Sequence, residues 1–263
     1  MLENRSTLTK MKFHKSNKNQ DLDFIYSQCS GPGGLRLAEF LAEKMMIQHD
    51  KWLLDVGTNR GLQTCFLAKE YGVTVVGIDP LDDRTDQRPH VEHLMDNARK
   101  WGVENLILGL QVGVPESYFA ANTFDYVYSS TTLEMIRGFQ GESAYRASLR
   151  ELYRVLKPNG VLGLGEPMHL DVPIPAELVS RVAEGEGAYA NFFVTIDETI
   201  AAVNSAGFEI VEADYVPQAQ SWWQEFAEHD PFCQADPEGE PKTIAIDNGR
   251  WLSFGYVIAR KAS

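Results

Sequence analysis

The 263-residue chain contains 37 acidic and 24 basic side chains, a formal net charge of −13, and 44% hydrophobic residues. This balance argues against a nucleic acid partner, and no apolar run approaches the ~20 residues that span a bilayer. The length fits one large domain, or one domain with a sizeable insertion.

The cysteines argue against a metal centre. Cys29, Cys65 and Cys233 are far apart, and no Cys/His cluster has the spacing of a zinc site, so no metal is expected. Their odd number, and an N-terminus without the pattern of a secretory signal, predict a reducing, cytoplasmic location. Cys65 lies on a helical pattern and is expected in the core.

The N-terminal part of the chain changes character after its first 20 residues. Residues 1–20 are polar and rich in lysine and asparagine, which predicts a flexible arm, and residues 21–263 are predicted to form a single domain. After a glycine-rich turn at 31–34, apolar residues recur at helical spacing. This pattern predicts an N-terminal helical cap over about 21–50.

From residue 52 onward, continuous apolar runs alternate with helical patterns. Strands are predicted at 52–57, 73–79, 106–112, 124–130, 161–167, 209–216 and 251–261. Helical patterns are predicted at 62–72, about 86–101, 144–160 (stopping before Pro158) and 197–208. The alternation predicts an α/β fold with a doubly wound, Rossmann-like parallel sheet.

A long segment separates the last two predicted strands. It covers about 217–250 and contains two tryptophans and four prolines. Because loops of this length in a compact domain are usually functional, we expect a lid insertion. Trp222 and Trp223 lie on a short predicted helix and could enclose a cationic or planar acceptor; alternatively, the lid packs its own aromatic side chains.

The stretch LLDVGTNRGLQT (53–64) has the pattern of a ligand-binding turn. A strand containing Asp55 is followed by Gly57, Gly61 and a helix, so that backbone N–H groups face a ligand. Asn59 stands where another glycine is usual, and asparagine tolerates a positive φ. The Gly-x-Gly-x-x-Gly fingerprint of dinucleotide sites is therefore incomplete. Asp79, at the end of the next strand, is placed to accept two ribose hydroxyls.

Four segments in this order resemble the class I S-adenosylmethionine-dependent methyltransferases: LLDVGTNRG, VVGIDP, NTFDYVYSSTTLEMI and LRELYRVLKPNGVLGLGEP. They cover roughly residues 50–167, and the strands at 209–216 and 251–261 look like that family's terminal hairpin. The resemblance implies a seven-stranded, mostly parallel sheet with an antiparallel terminal strand. It also implies S-adenosylmethionine as the cofactor and in-line methyl transfer to a small-molecule acceptor.

By this resemblance, the acid and glycines of the first turn hold the methionine end of the cofactor, and the second acid holds the ribose. The expected cofactor residues are Asp55, Gly57, Thr58, Asn59, Gly61, Asp79, Pro80, Gly113, Val114 and Ser129. The acid that usually binds the adenine amino group falls on Gly113 here. Glu116, or a backbone carbonyl within 112–114, is expected to replace it.

The acceptor is expected beyond the carboxyl ends of the fourth and fifth strands. His169 is the candidate general base, because imidazole titrates near neutral pH, although a histidine simply hydrogen-bonded in a loop fits equally. Glu166 is the candidate to orient an amine acceptor or His169. The candidates for the acceptor pocket are Tyr26, Glu134, Trp222 and Trp223. The histidines expected at the surface are His14, His49, His90 and His93.

Two other functions compete with methyl transfer. An NAD-linked oxidoreductase would share the strand-and-turn pattern, although the incomplete glycine fingerprint counts against it. A catalytically silent cofactor-binding module would bind the cofactor without turnover, and Gly113 lends it some support. The sequence names neither the acceptor atom nor the oligomeric state.

Overall fold

A computed structural model describes residues 13–185 and 187–263 of the chain. The strands of its sheet are β1 (Trp52–Val56), β2 (Thr74–Ile78), β3 (Ile107–Leu110), β4 (Phe124–Ser130), β5 (Leu156–His169), β6 (Phe208–Tyr215) and β7 (Leu252–Lys261). The helices are α1 (Leu22–Gln28), α2 (Gly34–Lys44), α3 (Leu62–Tyr71), α4 (His90–Trp101), α5 (Leu133–Gln140), α6 (Glu142–Val155), α7 (Val179–Val182), α8 (Tyr189–Phe192), α9 (Ile196–Ser205), α10 (Ala219–His229), α11 (Pro231–Ala235) and α12 (Glu240–Asp247).

The strands form a seven-stranded sheet in the order β3-β2-β1-β4-β5-β7-β6. Strands β1 to β5 pair in parallel, and β7 runs antiparallel to both β5 and β6. The predicted fold class is therefore confirmed. The order reverses between β1 and β4, and in such sheets ligands bind outside the carboxyl ends of the strands at this reversal.

Helices cover both faces of the sheet with apolar layers. On one face α2, α3 and α4 contribute buried side chains such as Leu41, Phe66 and Leu94. On the other face α6 and α9 contribute Leu152 and Val203, among others. Because each fully buried aliphatic side chain stabilises the fold by roughly 1.5–3 kcal/mol, the two layers hold the sheet, and the loops at its carboxyl edge, in place.

Residues 13–20 differ from the predicted flexible arm. A short 3-10 turn spans Ser16–Lys18, and the backbone N–H and hydroxyl of Ser16 donate to Glu39 Oε2 at 2.8 and 2.6 Å. Lys15 also lies 2.6 Å from Glu43. These contacts bind the segment to α2; the rest of the predicted arm, residues 1–12, lies outside the described residues.

Two other segments also differ from the sequence prediction. The helix predicted over 144–160 ends at Val155, and Leu156 already pairs with Phe124 as the first residue of β5. Pro158 limits the helix to Lys157, as predicted, because the residue before a proline favours extended backbone. Pairing of Leu156 with β4 ends it two residues earlier. The segment 217–250 folds into α10, α11 and α12. No helix in the described part of the chain is long and apolar enough to cross a membrane.

Candidate active site

The turn between β1 and α3, residues 57–61, is called the cofactor loop below. Gly57 and Gly61 both have φ near +78°, a conformation that suits glycine. A Cβ on Gly57 would lie 2.8 Å from Thr132 Cβ, and one on Gly61 would lie 2.9 Å from Leu94 Cα. Gly61 therefore lets the turn approach α4 closely.

Asn59 and Arg60 connect the cofactor loop to two other segments. Asn59 has φ +49°, and its side-chain Nδ2 donates to Ser30 Oγ, in the α1–α2 turn, at 2.6 Å. Arg60 Nε donates to Asp83 Oδ2 at 2.6 Å and Arg60 Nη2 to Thr85 Oγ1 at 2.8 Å. The residues that interrupt the glycine pattern therefore attach the loop to its surroundings.

Asp79 follows β2 and faces the cofactor loop. Its Oδ2 accepts the Asn59 backbone N–H at 2.9 Å, and its Oδ1 accepts the Leu81 N–H at 3.0 Å. A carboxylate has about four lone-pair positions, so two remain after these bonds. The two hydroxyls of a ribose supply two donors, and the residues present therefore fit the adenosine part of S-adenosylmethionine.

The expected adenine region lies beside Asp79. A Cβ on Gly113 would lie 3.2 Å from Pro80 Cγ, so the ends of β2 and β3 are in contact here, and Val114 is buried next to them. Leu81 is 61% exposed, an apolar side chain that the sequence analysis missed. Glu116 is exposed; recognition of adenine by this residue or by a backbone carbonyl stays a prediction.

Asp55 is buried beneath the loop. Its Oδ2 accepts the Thr64 hydroxyl at 2.5 Å, and the Thr64 hydroxyl also contacts the hydroxyl of Thr58. The pKa of Asp55 is raised to about 7: burial is the largest cause, the bond from Thr64 opposes it, and the charge of Asp79 adds to the rise. In this structure Asp55 holds the first turn of α3 through its bond with Thr64. The side chain of Ser129 is also buried, and its hydroxyl donates to Val56 O at 3.3 Å.

Gln63 joins three parts of the site and was not found from the sequence. Its Oε1 accepts the hydroxyls of Tyr128 at 2.9 Å and Ser130 at 2.7 Å, while its Nε2 donates to Gly34 O at 2.8 Å. The side chain thereby links α3, the end of β4 and the start of α2. Its place in the first turn after the cofactor loop is the only sequence signal.

Thr131, directly after β4, is strained. Its φ is +49°, which is rare for a β-branched residue and costs of order 1–3 kcal/mol. Its hydroxyl is buried without a hydrogen-bond partner among the described residues. A Cβ on Gly31 would lie 2.7 Å from this hydroxyl, so the α1–α2 turn packs directly onto the end of β4.

Two buried carboxyl groups lie behind the carboxyl ends of β4 and β5. Glu166 Oε1 accepts the backbone N–H of Glu134 at 3.0 Å, whereas both side-chain oxygens of Glu134 lack a partner among the described residues. Burial raises the pKa of Glu166 to about 7, against the lowering effect of the charge of Arg137. Burial and the charge of Glu166 together raise the pKa of Glu134 well above its usual range, which favours its protonated form.

Replacing Glu134 with glutamine is expected to stabilise the protein at alkaline pH. Because the pKa of the Glu134 carboxyl is raised in the folded state, the folded protein keeps a proton there that the unfolded chain loses above pH ~4.3. The unfolding free energy of the wild type therefore falls as pH rises. We expect Glu134→Gln to raise the unfolding free energy at pH ~8 by at least about 1 kcal/mol. Denaturant unfolding at two pH values measures this.

The control for that experiment is Glu184→Gln, at an exposed acid. It should leave the unfolding free energy unchanged at both pH values. If Glu134→Gln loses as much stability between pH ~5 and ~8 as the wild type does, Glu134 is not the buried acid of raised pKa described above.

His169, at the end of β5, has one ring nitrogen engaged. Its Nδ1 lies 2.9 Å from Leu170 O, which fixes the tautomer with the proton on Nδ1 and leaves Nε2 as an acceptor. The ring stacks on Trp251 with centroids 4.8 Å apart. Among the described residues the ring is held by the Leu170 carbonyl and has no hydrogen bond to Glu166. A role of Glu166 toward an amine acceptor stays a prediction.

The aromatic candidates for the acceptor pocket lie in apolar clusters. Tyr26 donates its hydroxyl to Glu225 at 2.8 Å. Trp222 packs in the sheet-facing core beside Phe40. Trp223 donates its ring N–H to Ser253 O at 3.0 Å. All three are buried, and Trp222 packs against Phe40 of α2 rather than against its own segment. Their place in an acceptor pocket stays a prediction.

Two histidines differ from the surface positions expected for them. The side chains of His90 and His93 are only 13% and 14% exposed. His90 Nδ1 lies 3.3 Å from Asp79 Oδ1, and His93 Nε2 lies 3.2 Å from Asp86 Oδ1. Within residues 13–185 and 187–263, no three histidine, cysteine or acidic side chains are grouped to hold a metal ion.

Comparison with known proteins identifies the family. Residues 54–164 match the family described as a methyltransferase domain. The chain is 30% identical over 241 residues to 27-O-demethylrifamycin SV methyltransferase of Amycolatopsis mediterranei. This alignment covers 86% of this chain and 83% of that protein. It is 26% identical over 232 residues to a sterol 24-C-methyltransferase of Gibberella zeae, covering 85% of this chain but only 56% of that longer protein.

The fold has solved counterparts. An S-adenosylmethionine-dependent methyltransferase from Geobacter sulfurreducens, in complex with S-adenosylhomocysteine, superposes with a TM-score of 0.67 at 17% identity, over 91% of this chain and 97% of that one. The chain belongs to the class I S-adenosylmethionine-dependent methyltransferases. It is an enzyme, and its cofactor is S-adenosylmethionine.

Proposed function

We propose that this enzyme transfers the methyl group of S-adenosylmethionine to a small-molecule acceptor by in-line displacement. The observation that carries the proposal is the carboxylate of Asp79, which keeps two acceptor positions free beside the cofactor loop. The relatives named for a sterol and for a rifamycin both act on small molecules by their names, which supports an acceptor of this class.

The cofactor supplies an activated methyl group on its sulfonium. The chain must then hold an acceptor in line and exclude water, and such positioning can supply roughly 7–11 kcal/mol of the barrier reduction. We place the cofactor residues on the cofactor loop and at Asp79. We place the acceptor beyond the carboxyl ends of β4 and β5, near Thr131 and His169.

His169 is the proposed proton acceptor for an acceptor molecule that is protonated at neutral pH. Its Nε2 is available because Nδ1 bonds to the Leu170 carbonyl, and stacking on Trp251 holds the ring. In this proposal the acceptor's proton moves to Nε2 as the methyl group arrives. An acceptor that is already deprotonated would not need this step.

We also propose that residues 217–250 cover the acceptor. Glu225 of α10 accepts the Tyr26 hydroxyl and forms an ion pair with Arg36 of α2. These bonds join the segment to the helical cap, residues 21–50. An acceptor enclosed between them would be shielded from water, as the chemistry requires.

The test measures S-adenosylhomocysteine formation from S-adenosylmethionine with pools of amines, phenols, carboxylates and thiols. We expect turnover with one pool, and with that acceptor a loss of about 10²-fold or more in His169→Gln. Binding of S-adenosylhomocysteine by His169→Gln should stay at the wild-type level. A protein that binds the cofactor but turns over no pool would instead be the silent module.

A further inference from the structure

We propose that His90 is a positioning residue that makes cofactor affinity depend on pH, because its protonated ring and the cofactor ribose compete for the same oxygen of Asp79. The proposal rests on the placement of the ribose at Asp79. It begins from a buried ring nitrogen: His90 Nδ1 has no hydrogen-bond partner among the described residues, yet lies 3.3 Å from Asp79 Oδ1.

The loop between β2 and α4 fixes the position of this ring. The backbone N–H of His90 donates to Leu81 O at 3.1 Å, and Asp83 N–H donates to Arg88 O at 2.7 Å. An isolated antiparallel bridge joins Asp82 to Pro89. Because the chain closes on itself directly before α4, the ring cannot move far from Asp79 without breaking these bonds.

Charged side chains face the ring from two sides. Nε2 lies 3.8 Å from Asp83 Oδ2, so the imidazole stands between two carboxylates. Arg60 of the cofactor loop neutralises Asp83 from the other side at 2.6 Å, and its bond holds the pKa of Asp83 well below the usual range. The ring therefore lies between the Asp83–Arg60 ion pair and the carboxylate of Asp79, which has no lysine or arginine partner among the described residues.

The number of acceptor positions on Asp79 makes the competition exclusive. Backbone N–H groups occupy one lone pair on each oxygen, and two positions remain. Two ribose hydroxyls need both positions, whereas a protonated His90 that turns its Nδ1–H toward Oδ1 takes one. A charged ring always carries a proton on Nδ1, whereas a neutral ring can carry its single proton on Nε2 and leave Oδ1 to the ribose. Cofactor binding therefore favours the neutral ring, and we expect affinity to rise with pH.

The experiment is calorimetric titration of the full-length protein with S-adenosylhomocysteine at pH ~5.5 and ~7.5. His90→Phe keeps a planar ring but has no donor, and it serves as the reference. From pH ~7.5 to ~5.5, we expect the dissociation constant of the wild type to rise about tenfold more than that of His90→Phe. The comparison with His90→Phe is needed because Asp55, with its pKa raised to about 7, titrates in the same pH range in both proteins.

A matched control is His93→Phe, one turn further along α4, whose ring faces Asp86 and not Asp79. It should keep the wild-type pH dependence. Equal pH dependence in the wild type and His90→Phe overturns the proposal, and so does tighter wild-type binding at the lower pH. If Asp79→Ala binds as tightly as the wild type, the placement of the ribose fails instead.

Discussion

Replacement of Asp79 by alanine is expected to raise the dissociation constant for S-adenosylhomocysteine at least about 100-fold. A hydrogen bond to a charged group contributes about 1.5–3 kcal/mol, and the ribose would lose two of them; about 2.7 kcal/mol corresponds to 100-fold. The variant also removes the acceptor for the backbone N–H groups of Asn59 and Leu81. Calorimetric titration at pH ~7.5 measures the change.

The control for Asp79→Ala is Asp83→Asn in the same loop. Asp83 binds Arg60 and Thr85, so its replacement tests whether loss of any acid here weakens binding. We expect a smaller loss than in Asp79→Ala, because Asp83 contacts the cofactor loop through Arg60 and is not placed against the ribose. Equal losses in both variants would mean that loop structure, and not a ribose contact, accounts for the effect.

Replacement of Gly61 by alanine is expected to lower the unfolding free energy by about 2–5 kcal/mol. The left-handed backbone, with φ +78°, costs roughly 1–2 kcal/mol for a residue with a Cβ. Overpacking typically adds about 1–3 kcal/mol, and here the new Cβ would meet both the side chain and the Cα of Leu94. Denaturant unfolding measures the loss.

Gly102→Ala separates these two costs. Gly102 ends α4 with φ +68°, and nothing lies within 4 Å of a Cβ built on it. It should therefore lose only the conformational part, about 1–2 kcal/mol. If Gly61→Ala loses no more than Gly102→Ala, then Leu94 moves aside freely and the close approach of the cofactor loop to α4 is not required for stability.

The parallel strands could be predicted because their signal is local. The apolar run at 124–130 coincides with β4 to the residue, since a strand buried on both faces needs apolar side chains at successive positions. The helix α5 could not be predicted: it has eight residues and starts two positions after the left-handed Thr131. Neither propensity nor periodicity indicates such a backbone from the sequence alone.

The candidate active site also has a part that the sequence predicts and a part that it does not. The juxtaposition of the cofactor loop with Asp79 could be predicted, because neighbouring parallel strands end at one edge of the sheet. Contacts between distant segments could not. The bond from Tyr26 to Glu225 spans 199 positions, and the approach of His90 to Asp79 depends on how one loop closes. His90 was therefore expected at the surface, and the partner of the Tyr26 hydroxyl could not be predicted.

The place of β7 in the sheet has a consequence for how the chain acquires its fold. Strand β7 follows every other strand in the chain, yet it lies between β5 and β6 and pairs with both. Chains are made from the N-terminus, so β6 leaves the ribosome with no neighbour to pair with and waits for β7. Only then is the edge of β5 covered, and the growing chain carries an open, aggregation-prone strand edge until β7 is synthesised.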